Sequence, residues 1–79
     1  MSVEYYEVAY HIAEKMKNFG YEEWSDKIID AIESSSIGTE ILMSVRWYLK
    51  KFINEEKECC CELKNEISHF LISLDKVLT

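Results

Sequence analysis

Apolar side chains return every three or four positions through most of this chain. Tyr5, Val8, Ile12, Met16 and Phe19 form the first such stripe. That is the period of an α-helix, and Ser2 ahead of it supplies an N-cap hydroxyl. Asn18, Phe19 and Gly20 end the segment, Gly20 being suited to the left-handed position just past a helix. A second stripe runs through Tyr21, Trp24, Ile28 and Ala31/Ile32. It stops in the serines at 34–36, whose hydroxyls compete for backbone hydrogen bonds.

The third helix is predicted to begin near Gly38, with Thr39 as its cap and Glu40 complementing the N-terminal partial charge. Its stripe is Leu42, Val45, Leu49 and Phe52, and Lys50 and Lys51 suit its final turns. The fourth stripe, Cys60, Leu63, Ile67, Phe70/Leu71, Leu74 and Val77, is the most regular. No segment alternates with a period of two, so the expected fold is all-α. Helices near 3–18, 21–33, 39–53 and 57–78 make a small four-helix bundle, up-and-down or a close variant. A turn is expected near Asn54, although the segment 54–58 holds no Gly or Pro. The rival is one long bent helix from Thr39 onward that pairs in a dimer.

Seventy-nine residues leave room for one core, hence a single domain over 1–79. With 48% hydrophobic residues, intrinsic disorder is not expected. No apolar run reaches the ~18 residues of a spanning helix, and the first residues lack the pattern of a signal peptide. Cys59, Cys60 and Cys61 are consecutive and odd in number, which suits no disulfide framework. A cytoplasmic location is therefore expected, with no membrane association.

Fifteen acidic residues against nine basic ones give a formal charge of −6. Phosphate binding needs clustered Lys and Arg, so nucleic acid is disfavoured as a partner. A basic protein would be attracted. The charge is patterned. Glu22, Asp26, Asp30 and Glu33 share one face of the second helix, where Lys27 is the lone basic residue and Glu23 adds a further carboxylate. Like charges at that spacing repel by about 0.2–0.5 kcal/mol per pair. Two readings follow: a solvated face neutralised by Arg46 or by lysines of other helices, or a docking surface for a basic partner. A second acidic row, Glu55, Glu58, Glu62 and Glu66, is interleaved with Lys57 and Lys64 and reads as ordinary solvation. Trp47 and Tyr48 flank the third stripe next to Arg46 and Lys50, as core edge or as interface anchors.

Catalytic and metal chemistry finds little support. Three consecutive cysteines on a helix point about 100° apart and cannot all face one ion. Glu66 and His69 match one half of a di-iron bundle motif, which needs a second copy that this chain lacks. There is no nucleophile elbow and no glycine-rich phosphate loop. Neither an enzyme nor a cofactor is expected.

The run Gly20-Tyr21-Glu22-Glu23-Trp24, the downstream Ile28 and Ile32, and the run from Gly38 to Arg46 resemble a pattern in small bacterial all-helical proteins. Some of these look like immunity proteins of polymorphic or contact-dependent toxin systems. The resemblance covers about half the chain and implies a non-catalytic inhibitor that binds a basic toxin domain. The resulting expectation is a protein-binding module acting through Glu22, Asp26, Asp30, Glu33, Trp47 and Tyr48. The alternatives are a homo-oligomeric helical protein and, behind it, a metal-binding protein.

Overall fold

A computed structural model describes residues 3–34 and 37–78. Ser2, the expected first cap, and Ser35 and Ser36 of the serine run lie outside these. Four helices follow one another: α1 (Val3–Asn18), α2 (Glu22–Ser34), α3 (Gly38–Glu55) and α4 (Cys61–Leu78). Each packs on the next, and α4 closes the ring against α1. An 18-residue helix is ~27 Å long, which matches a bundle measuring 32 × 23 × 19 Å. This is the expected all-α four-helix bundle. No helix among the described residues is long and apolar enough to cross a membrane.

The α1–α2 corner is built by Gly20. Its φ of +94° is the left-handed conformation that a side chain disfavours. The Gly20 N–H donates to the Lys17 carbonyl at 3.1 Å, and the Tyr21 N–H reaches back to the Met16 carbonyl at 2.8 Å. This pair of bonds is a Schellman cap, which satisfies carbonyls that the ending helix would leave open.

The start of α3 departs from expectation. Thr39 is already inside the helix, and Ile37 occupies the capping position in extended backbone at φ −103°, ψ 118°. An isoleucine side chain offers no oxygen to the first-turn N–H groups. Glu40 does stand in that first turn.

The α3–α4 connection is a turn, so the two long apolar faces meet within one chain rather than forming one bent helix. It comes slightly later than expected. The backbone N–H of Glu56 donates to Phe52 at 2.7 Å, closing α3, and the Cys59 N–H donates to Glu56 at 3.3 Å. α4 then starts at Cys61 rather than near residue 57, with its first bond running from the Lys64 N–H to the Cys60 carbonyl. Residues 57–60 therefore lie in the turn. Cys59, not Cys60, tucks into the core.

The core is continuous. Leu42, Val45, Leu49 and Phe52 of α3 face Leu63, Ile67 and Leu74 of α4, all fully buried. Phe70 joins them, while Val77, the expected last member of that stripe, is exposed. In α2 the buried positions are Ser25, Ile28, Ala31 and Ile32. In α1 they are Ala9, Ile12, Ala13 and Met16, whereas Val8 and Phe19 are exposed. Each buried Leu, Ile, Met or Phe contributes about 1.5–3 kcal/mol. Ala9 and Ala13, both fully buried, contribute little bulk to the inner face of α1.

Candidate functional site

The inner face of α2 is committed to the core, which turns Glu22, Asp26, Asp30 and Glu33 outward. All four are exposed, as is Glu23. Among the described residues no cation lies within ion-pairing distance of any of them. Glu33 accepts a hydrogen bond from the Tyr10 hydroxyl at 3.3 Å. Partial burial of the Tyr10 phenol, then the charge and hydrogen bond of Glu33, push its pKa up.

Four of the basic side chains have partners of their own. Arg46 Nε donates to Asp75 Oδ1 at 2.6 Å, joining α3 to α4. Lys15 Nζ donates to Glu66 at 2.8 Å and lies 3.5 Å from Glu62. Lys27, on α2 itself, places its ammonium 5.0 Å from the centre of the Trp24 ring, a cation–π contact. Lys51 lies 3.9 Å from Glu55. The second acidic row is thus largely served by lysines, and the α2 row is not.

Trp47 and Tyr48 part company on α3. Trp47 is 56% exposed and stands outward with Met43 at 53%, whereas Tyr48 is half-buried and packs on the core. Their rings touch edge to face with centroids 5.0 Å apart, and the Lys51 ammonium sits 4.8 Å from the centre of the Trp47 ring. No hydrogen bond, ion pair or ring contact among the described residues joins this pair to the acidic row. The six expected binding residues are divided between neighbouring helices, four on α2 and two on α3.

Sequence reasoning missed a third feature. An open groove of about 670 Å³ runs between α1 and α4. Val8, taken from its spacing as a core residue, forms part of the α1 wall and is 41% exposed. Glu66 and His69 line the opposite wall, and His11 joins them from α1. The one signal in the chain was Ala9 and Ala13, whose small size shifts the buried face of α1 away from Val8.

Among the described residues no group of three or more His, Cys, Asp or Glu side chains is placed to hold a metal ion. Cys60 and Cys61 are exposed while Cys59 is buried, so the three thiols diverge. No protein-family model, curated protein or solved structure matches the chain.

Proposed function

We propose that this protein is a non-catalytic binding module whose α2 face receives a basic surface of another protein, in the manner of an immunity-type inhibitor capping a basic toxin domain. One observation carries the reading: four exposed carboxylates in line, with no cation within ion-pairing distance among the described residues. Such a row has no ion pair within the chain to break when a cationic surface arrives. Its field also accelerates encounter, because complementary potentials raise association rates at low salt. Trp47 and Met43 offer apolar anchors on the adjacent helix, where aromatic side chains are common hot spots. The resemblance of the 20–24 and 38–46 runs, with Ile28 and Ile32, to small bacterial all-helical proteins, some of them immunity-like, supports the same reading.

The test is capture of the native partner by immobilised protein, identified by mass spectrometry and remeasured at rising salt. A basic partner should be lost on Asp26→Lys with Asp30→Lys while the helical circular dichroism persists. Unchanged capture by that variant removes α2 from the account.

A homo-oligomeric role is the second reading, favoured by the outward Met43 and Trp47. Its earlier ground, a continuous α3–α4 helix, is gone, since those faces pair within the chain. Light scattering at micromolar concentration separates the two, because a strictly monomeric species is incompatible with an obligate oligomer.

A further inference from the structure

The α1–α4 groove combines an apolar floor with an incompletely neutralised acidic edge. Ile12 and Phe70, almost wholly buried, form the floor, and Tyr5 and Val8 extend it along α1. The Tyr5 and Phe70 rings lie 6.3 Å apart at a 36° tilt, so one side of the cleft is aromatic. Its volume of about 670 Å³ falls within the range of small-ligand sites.

The edge is electrostatically unbalanced. Glu62 and Glu66 share the single ammonium of Lys15, at 3.5 and 2.8 Å. Two carboxylates against one ammonium leave a formal negative charge at the rim, beside the imidazoles of His11 and His69. Glu66 is also half-satisfied: its Oε1 accepts from Lys15, while its buried Oε2 has no hydrogen-bond partner among the described residues. A buried acceptor without a donor carries a desolvation cost, and a second cationic donor relieves it. The Glu66 side chain retains about a third of its exposure, so it can turn toward an occupant.

We infer that this groove binds a small organic cation carrying an ammonium group on an apolar body. The body rests on Ile12 and Phe70, and the ammonium donates to the Glu66 and Glu62 edge. An anion is repelled by the same edge, and a neutral apolar molecule leaves the Glu66 oxygen without a donor. The site is independent of the partner-binding reading. α1 meets α2 through Tyr10 and Glu33 and meets α4 through Lys15, so the acidic α2 face and the groove lie on different flanks of α1.

The experiment is a titration of the full chain with 2-phenylethylammonium chloride, followed by backbone amide NMR shifts. Parallel titrations use 2-phenylethanol and phenylacetate at matched ionic strength. Saturable shifts are expected at Val8, Ile12, Glu66 and Phe70, with the alcohol, whose hydroxyl can donate but carries no charge, binding about tenfold more weakly for want of the ion pair. Phenylacetate should give none. Glu66→Gln should weaken the cation about tenfold, and Asp26→Asn with Asp30→Asn should leave it unchanged. Should Glu66→Gln fail to fold, Val8→Trp decides: it fills the cleft from an exposed position and must abolish the shifts. Equal affinity for alcohol and ammonium, shifts confined to α2, or no saturation would each overturn the assignment.

Discussion

The indole of Trp24 stands edge-on to the ring of Phe52, with centroids 5.5 Å apart and planes at 80°. Tyr21 meets the same phenyl edge-on from 5.0 Å. Phe52 is fully buried and holds the last turns of α3 against the start of α2. Phe52→Ala deletes both aromatic contacts and opens a cavity, so it should cost about 3–5 kcal/mol. That is a large part of the stability of a domain this size. Urea unfolding monitored by tryptophan emission gives the value, and a loss near 1 kcal/mol would mean the site collapses around the gap.

Ser25 is the reverse case. It is 1% exposed, on the inner face of α2, and its hydroxyl oxygen is buried without a hydrogen-bond partner among the described residues. Ser25→Ala removes a desolvated polar group and improves helix propensity. A gain of about 1 kcal/mol is expected, which raises Tm by roughly 4–8 °C in a domain of this length. A lower melting temperature would show that the hydroxyl is bonded in solution.

Alkaline pH should weaken the fold. Tyr10, Tyr21 and Lys15 all have raised pKa values, the tyrosines chiefly through burial and Lys15 chiefly through its hydrogen bond to Glu66. A raised group keeps its proton in the folded chain after the unfolded chain has lost it. Its contribution is therefore complete below the ordinary values of 10.0 for tyrosine and 10.5 for lysine, and is lost as pH climbs through the folded values. Melting curves from pH 8 to 11.5, all at one ionic strength, should stay level from these groups at first and fall above about 10. Tyr10→Phe should shrink that fall; an identical decline in the variant would remove Tyr10 from the cause.

The thiols should divide two to one. Cys60 and Cys61 are exposed, and Cys59 is 8% exposed in the turn beneath them. DTNB should modify Cys60 and Cys61 rapidly in the native protein and Cys59 only on the timescale of opening. Denaturant should make all three equivalent. Three fast reactions in buffer would mean that the turn opens readily.

The bundle was legible wherever large apolar residues set the period. Leu42, Val45, Leu49 and Phe52 are buried as their spacing requires, and so are Leu63, Ile67, Phe70 and Leu74. It was misread where small residues make the contact. Large side chains weight the pattern toward Val8 and Phe19, while the buried positions are Ala9 and Ala13. The turn at 57–60 carries no Gly or Pro to mark it, so α4 was begun a turn too early and Cys60 was assigned the burial that falls to Cys59. The outward placement of the acidic row followed from periodicity alone. That Arg46 would turn to Asp75 instead was not readable, since it depends on how α3 and α4 align.

Five acidic side chains against Lys27 give α2 four of the chain's six net negative charges. Charge so unevenly distributed gives the molecule polarity as well as sign. On an anion-exchange resin or beside any cationic wall, it will turn α2 inward before it touches, so two charges removed from α2 will shorten retention more than two removed elsewhere.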